Sequence, residues 1–469
     1  MDFAKFAADL SGFVWGASVA SIFKLQVSGW VGYFLDVPLL IVLLFGAHLF
    51  LTLRTGFIQR FLPRAIKISF SRQKEGEGDV SQFGALMTAL AATIGTGNIV
   101  GVAGAVAMGG PGAVLWMWLT GVFGIATKYS EAVLAVKYRV KMPDGSMAGG
   151  PMYALERGLG VKWLGVLFAA FTCIAAFGIG NMTQANSIVE LLHEHIKPES
   201  DAVLRWVAGS VMAVLTAAVV LGGVKSIAKV CGFLVPIMAV GYIIGCVLIL
   251  IKNASALPGT FADIWHGAWS GQAAVGGFVG ATLKQVAQAG IARGLFSNES
   301  GLGSAPIVAA AAQTRNPVRQ ALVSSTATFW DTVVVCAMTG LVIVSSGHWK
   351  EGLPKAALTS AAFNDLHTLG PIFLLFGMCF FVFSTILGWG YYGEKAAEYL
   401  FGTRSVKPYR ILWVLAVLFG SVQPAQAVWD FADAANGLMA IPNLIALICL
   451  SGVIAAETKA HRHELTGKD

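Results

Sequence analysis

TALAATIGTGNIVGVAGAVAM, residues 88–108, decides how this chain is read. The stretch is apolar and long enough to span a bilayer, since about 20 residues at a rise of about 1.5 Å cross a hydrocarbon core of about 30 Å. Its centre, however, is Ile94-Gly95-Thr96-Gly97-Asn98. Each glycine costs about 1 kcal/mol against alanine in a helix interior, and lipid cannot satisfy the Asn98 amide. Two arrangements suit such a centre. The small residues let another helix pack closely, Gly97 and Gly101 having the GxxxG spacing. Alternatively, the helix unwinds at mid-membrane and offers bare N–H and C=O groups, with the Asn98 side chain, to a small polar ligand.

The rest of the chain favours the second arrangement. Of 469 residues, 56% are hydrophobic and 12% charged, a composition for an all-α polytopic membrane protein and not for a soluble domain. The apolar runs are continuous, unlike the short alternating segments of a barrel. Eleven spans are expected, at about 34–54, 83–107, 112–137, 163–192, 203–222, 227–251, 272–299, 320–346, 371–398, 409–427 and 432–455. Residues 2–24 are amphipathic and carry no cleavable signal, so they are expected to lie along the membrane surface. The six cysteines fall within apolar runs without paired spacing and read as buried thiols.

Basic residues set the expected orientation. With the 55–82 loop in the cytoplasm, twenty-three Lys and Arg fall on the inner side and seven on the outer, Lys128 and Lys284 lying within spans. This asymmetry places the amino terminus outside and the carboxyl terminus inside. The net charge of +7 is therefore a topology signal, and no nucleic-acid partner is expected. The second and seventh spans both have Gly-interrupted centres and lie five spans apart, so they enter the membrane from opposite faces. That pattern points to an inverted-repeat transporter. The expected divisions are a surface segment over 1–32, an extra first span with its basic loop over 33–82, five-helix repeats over 83–252 and 272–456, and a cytoplasmic tail over 457–469.

Candidate ligand groups lie at mid-depth. Unwinding near Ile94–Gly97 would start a half-helix at about Asn98, whose free N–H groups and positive dipole end suit a carboxylate. Carbonyls around Ala91 to Ile94 would face a hard cation. Ser384 and Thr385 supply hydroxyls in the ninth of these eleven spans, with Trp389 one turn beyond, although such hydroxyls also bond commonly to their own helix. Gln184 is a pocket candidate in a span that also carries Asn181, Thr183 and Asn186. In the seventh span Gln285 to Gly290 is the expected break. Arg293 and Asn298-Glu299-Ser300-Gly301 then lie towards the cytoplasm as a gate or cap. Asp331, ionisable at membrane depth, is a functional suspect, and Lys128 with Glu131 reads as an internal pair. The sequence has no phosphate loop, metal-spaced His or Cys set, or nucleophile triad, so no enzyme and no cofactor is expected. A carrier driven by an ion gradient, a passive channel and a membrane receptor stay open on this ground alone.

The stretches GTGNIVGVAGAVAMGGPGAVLWMWLTGVFGIATKYSE, MAGGPMYALERGLG, GLFSNESGLGSAP, STILGWGYYGEKA and WDFADAANGLMAIPNLIAL resemble the alanine or glycine:cation symporter family of the amino acid–polyamine–organocation superfamily. The resemblance runs from about residue 30 to 455. It implies a leucine-transporter-type fold, an extra first helix followed by two inverted five-helix repeats. It also implies Na⁺-coupled carriage of alanine of either hand, or glycine, across a bacterial or archaeal inner membrane by a monomer. Carried over by position, it implies that Thr96, Gly97, Asn98, Gln184, Thr385 and Trp389 bind the amino acid, with Gln285 and Gly290 provisional. The carbonyls of Ala91, Ile94 and Phe381 and the hydroxyls of Ser384 and Thr385 would hold Na⁺.

Overall fold

A peptide group in lipid has no water to bond, so the apolar runs satisfy their backbones internally and fold as helices. The computed structural model describes residues 3–16, 18, 38–71, 76–196, 199–270 and 282–467. In chain order the main helices are α1 (Phe3–Gly16), α2 (Leu39–Arg54), α3 (Gln82–Thr93), α4 (Val102–Gly109), α5 (Gly112–Lys137) and α6 (Lys162–His193). They continue with α7 (Asp201–Val220), α8 (Gly223–Lys252), α9 (Leu257–Ser270), α10 (Leu283–Asn298) and α11 (Pro317–Ser346). The last are α12 (Lys355–Asn364), α13 (Leu369–Phe401), α14 (Val406–Val422), α15 (Ala425–Cys449), α16 (Ser451–Ala460) and α17 (Arg462–Thr466).

Among the described residues seven helices are long and apolar enough to cross a membrane, and two bent pairs raise the number to nine. One pair is α2 with Ile58–Ser69, bent by 66°; the other is α3 with Gly97–Gly109, bent by 50°. Of the other two expected spans, α5 is 26 residues long but buries Lys128 and Glu131. α10 has 16 residues, and the start of its span, 272–281, lies outside the described residues, as do most of the 1–32 segment and the basic residues Arg72 and Lys74.

Three expectations change. Within the amino-terminal segment α1 lies on protein: Ala7 is fully buried, the Phe3 ring packs on Phe419 and Phe431, and Trp15 Nε1 donates to the Asp433 carbonyl at 2.9 Å. Its aromatic face thus finds partners on α14 and α15. Of the cysteines, Cys379 and Cys449 are exposed on the outer faces of their helices, where lipid would meet them.

The third change concerns the second break. α10 runs without interruption through Gln285 and Gly290. Thr282 and Gln285 form a capping box at its start. Gly290 serves close packing instead, since a Cβ there would stand 2.3 Å from the Ala113 carbonyl oxygen. The chain breaks later, from Glu299 to Ala305, where Glu299 caps α10 in the left-handed region and Gly301 and Gly303 have φ of 91° and 84°. Any side chain at those two glycines would be strained.

Candidate functional site

The first break falls where the sequence puts it. α3 ends at Thr93, Ile94 is extended with ψ 94°, and helical geometry resumes at Thr96 as one π-turn over Gly97–Gly101 leading into α4. π-turns of this kind recur at functional sites. The end of α3 and the start of the next half-helix should leave orphan carbonyls and N–H groups. Here side chains meet them. Gly95 N–H donates to Asn98 Oδ1 at 2.8 Å, and Thr96 N–H donates to Gln184 Oε1 at 3.1 Å. Gln184 is itself held by its Nε2, which donates to the Ile179 carbonyl at 2.8 Å. Two amide oxygens thus occupy the place that a carboxylate oxygen would take. Thr96 Oγ1 is buried with no hydrogen-bond partner among the described residues.

On the other side of the break, the Ile94 carbonyl accepts from Thr385 Oγ1 at 3.1 Å. Ser384 Oγ donates to the Phe381 carbonyl at 3.0 Å. The approach is tight: a Cβ on Gly95 would lie 2.6 Å from Thr385 Oγ1 and 3.0 Å from Gln184 Oε1, and one on Gly388 would lie 2.8 Å from the Ala92 backbone nitrogen. The small residues of α3 and α13 therefore bring the two helices into close contact and the Ile94 carbonyl onto Thr385; the carbonyls of Ala91, Ile94 and Phe381 and the hydroxyls of Ser384 and Thr385 all belong to buried residues. These are neutral oxygens only, a donor set that suits a hard monovalent cation.

A second cluster surrounds Asp331, which α11 holds fully buried. Asn98 Nδ2 donates to Asp331 Oδ1 at 2.7 Å, while Ser297 Oγ at 3.0 Å and Thr332 Oγ1 at 2.6 Å donate to Oδ2. Asp331 is thus tied to both breaks, through Asn98 of the first and through Ser297 at the end of α10.

Trp389 is fully buried, its ring lying against Gly180 of α6, where a Cβ would meet the tryptophan Cβ at 2.1 Å. Its Nε1 donates to Glu299 Oε1 at 2.6 Å, and Ser304 Oγ holds Glu299 Oε2 at 2.6 Å. Glu299 therefore ends α10 as the cap that the sequence reading allows, and it does so inside the second break beside Trp389. Lys128 and Glu131 interact through their charges as expected, but not by a direct hydrogen bond. Glu131 Oε1 accepts from the Gly301 and Gly303 N–H groups, each at 3.0 Å, and from Asn443 Nδ2 at 2.7 Å. Unwinding had left those N–H groups without helical partners, and a carboxylate answers them better than an ammonium. Lys128 Nζ has no hydrogen-bond partner among the described residues.

The structure brings Thr96, Gly97, Asn98, Gln184 and Thr385 together at the first break, places Trp389 one turn from Thr385 against Glu299 of the second, and sets Gln285 and Gly290 apart from them. Sequence reading missed Ser297, Phe296 and the central place of Glu299. The signal available was the run Glu299-Ser300-Gly301-Leu302-Gly303, in which two glycines two apart make positive φ cheap, although Gly388 and Gly390 have the same spacing inside the unbroken α13.

Both ends of the site are closed. At one, Arg293 Nη2 pairs with Asp433 Oδ2 at 2.8 Å, and its guanidinium lies 5.6 Å from the Phe296 ring centroid and 5.2 Å from that of Trp429. The two rings stack at 5.1 Å, and Phe296 also abuts Gly97, where a Cβ would lie 3.3 Å from the ring. Arg293 thus precedes the break and lies on its Asp433 side, whereas the sequence reading has it follow a break at Gln285–Gly290. A cavity of about 850 Å³ lies outside this plug, with Gln285, Gln288 and Arg293 in its wall. At the opposite end residues 76–80 lie flat on 311–314. Gln313 N–H donates to the Val80 carbonyl at 2.8 Å, and Arg139 donates to the carbonyls of Ala310, Ala312 and Glu77.

Comparison with known proteins agrees with this architecture. The sodium:alanine symporter family matches residues 22–469. The sodium/alanine symporter AgcS of Methanococcus maripaludis is 49% identical over 98% of this chain and 97% of its own length. The probable sodium/glutamine symporter GlnT of Bacillus subtilis is 37% identical over 92% and 89%. The crystal structure of MhsT in complex with L-phenylalanine superposes with a TM-score of 0.61 at 16% identity, covering 83% of this chain and 95% of that one, which shows a shared fold. The protein is a multi-pass transporter that couples amino-acid movement to sodium, and it belongs to the sodium:alanine symporter family.

Proposed function

We propose that this protein imports alanine or glycine together with Na⁺ across the cell's inner membrane by alternating access. The observation that carries the reading is the break at Ile94–Thr96, where Asn98 and Gln184 oxygens fill the two N–H positions and Thr385 fills the Ile94 carbonyl. These are stand-in contacts. An amino-acid carboxylate arriving at Gly95–Gly97 displaces the Gln184 oxygen and gains two or three N–H donors at the positive end of a half-helix. Thr96 Oγ1 then finds its missing partner, Asn98 borders the same region, and the small side chain faces the Trp389 ring. Gln285 and Gly290 have no part in this site.

Na⁺ takes the carbonyls of Ala91, Ile94 and Phe381 and the hydroxyls of Ser384 and Thr385, so that Thr385 exchanges its bond to Ile94 for a shared ion. A second cation near Asn98 is balanced by Asp331, with Ser297 completing its oxygens; a buried carboxylate at membrane depth is costly without such a charge. Each ion orders the break against which the amino acid binds, so each ligand raises the other's affinity by the same factor. The Asp433 end faces the outside, the Arg139 end and the carboxyl-terminal tail face the cytoplasm, and residues 83–252 and 272–456 form inverted repeats that rock around the site.

The test is uptake of radiolabelled alanine into proteoliposomes under imposed Na⁺ and pH gradients. The reading expects accumulation above the bath concentration with a Na⁺ gradient alone. Equal uptake in choline would overturn the coupling, and equilibration without accumulation would make the protein a passive facilitator.

A further inference from the structure

The seal at the Arg139 end is held from outside itself by the tail. Glu464, in α17, is 1% exposed although it lies five residues from the end of the chain. Its Oε1 accepts from Arg315 Nε and from Asn316 Nδ2, each at 2.8 Å, and its Oε2 accepts from Arg319 Nη1 at 3.2 Å. Arg64 Nε reaches the Glu464 backbone carbonyl at 3.5 Å. Burial alone would push this carboxyl up, but the hydrogen bonds from Asn316 and Arg315 and the charges of Arg315 and Arg319 hold it below its usual range.

The placement of these partners is the point. The seal is two strips in direct backbone contact. A Cβ on Gly76 would lie 2.3 Å from the Thr314 carbonyl oxygen, and one on Gly78 would lie 2.4 Å from Gln313 N. Arg315, Asn316 and Arg319 follow the second strip immediately. Arg64 belongs to the short helix Leu62–Ser69 that precedes the first strip. Two further contacts anchor the tail on α5: the Tyr129 hydroxyl with Thr458 Oγ1 at 2.9 Å, and the Lys137–Glu457 ion pair. One carboxylate and its peptide carbonyl therefore bridge the chain on both sides of the seal. Opening the strips must pull Arg315 and Arg319 from Glu464 or carry the tail with them.

We propose that Arg315, Asn316 and Arg319, with Arg64 beside them, form a carboxylate site whose ligand is the chain's own Glu464, and that this latch keeps the Arg139 end closed until the tail lets go. Losing the latch removes bonds that exist only in the closed state, so opening at that end becomes faster. The tail is then an autoinhibitory segment, and any anion or modification that displaces Glu464 speeds opening at that end.

The experiment places a cysteine at Ala312 in the full-length protein and follows its reaction with a membrane-impermeant thiol reagent in vesicles that expose the Arg139 end. Glu464→Gln, and separately deletion of residues 461–469, should each speed labelling about tenfold, the change that 1.4 kcal/mol produces. A synthetic peptide of residues 461–469 added to the deletion variant should slow labelling again, and the same peptide with Glu464→Gln should not. Thermal unfolding of each variant reports whether the protein stays folded. Unchanged labelling in the folded variants overturns the latch. Faster labelling that the peptide fails to reverse overturns it too, because that is the mark of a tail with a purely structural part. Labelling reads the seal itself, so failure of the Na⁺–alanine reading in flux assays would leave this result standing.

Discussion

At the scale of single residues, the site works by exchange of partners. Thr385 Oγ1 now bonds the Ile94 carbonyl, and a neutral hydrogen bond contributes about 1 kcal/mol. Thr385→Ala removes this bond and, on the proposed function, a Na⁺ ligand. It should raise the half-saturating Na⁺ concentration about tenfold, more than it raises that for alanine, as read from initial uptake rates over a Na⁺ series. Gln184 makes the complementary case. Gln184→Glu keeps the oxygen that meets Thr96 N–H but puts a negative charge where the substrate carboxylate must arrive. Alanine binding should fall at least tenfold while Na⁺ binding alone is kept, as measured by equilibrium binding of each ligand. Trp389, proposed to cap the small side chain, holds Glu299 through Nε1. Trp389→Phe should retain the exclusion of leucine yet lose transport rate, because it leaves a buried carboxylate oxygen without its donor. A fully active Trp389→Phe would mean that the Glu299 bond is unimportant.

At the scale of elements, breaks and close approaches carry the fold. Gly303 has φ of 84°, and a Cβ there would lie 2.7 Å from Pro151 and 2.9 Å from Asn443. Gly303→Ala is both strained and crowded, and should lower the thermal midpoint by several degrees or prevent folding, whereas Gly145→Ala, strained at φ 85° but in open space, should cost less. The difference between the two reads the packing part alone. The first break was legible in the sequence because Gly95, Thr96, Gly97 and Asn98 sit at the centre of an otherwise perfect span. The second was not placed correctly. Lys284, Gln285 and Gln288 make the start of α10 polar, which reads as an interruption in a lipid-facing helix. In the structure that polarity faces the cavity beside the Asp433 end, and the backbone gives way one helix length later at Gly301 and Gly303. Polarity marks exposure to water or to a partner, while glycines permit a break without requiring one, as Gly388 and Gly390 inside the unbroken α13 show. Glu131 shows the same limit: three residues from Lys128 it reads as half of an ion pair, and only the fold brings Gly301 and Gly303 to it. The ten candidate pocket and Na⁺ residues other than Gln285 and Gly290 come from three separate stretches, 91–98, 184 and 381–389, and family resemblance, not spacing, assigned them to one site.

At the scale of the whole molecule, function requires that the two seals never open together. The Asp433 end is closed by one ion pair and a stacked pair of rings, the Arg139 end by backbone bonds across two strips and by Arg139, whose guanidinium reaches three carbonyls, those of Ala310 at 3.1 Å, Ala312 at 2.8 Å and Glu77 at 3.0 Å. The second seal is the stronger, so the resting protein favours substrate entry past Arg293 and Asp433. Arg139→Met keeps the stem and removes all three bonds, each contributing about 1.5–3 kcal/mol as a charged donor. The population should then shift towards opening at the Arg139 end. Because a ligand sees its affinity reduced by the fraction of molecules in the competent state, half-saturation for alanine entering past Asp433 should rise several-fold. Exchange measured from the Arg139 face should reach half-saturation at lower alanine, since the binding groups themselves are untouched. Flux assays in vesicles of each orientation measure both. A rise at both faces would mean that Arg139 supports the site, and no change at either would mean that the strips hold without it.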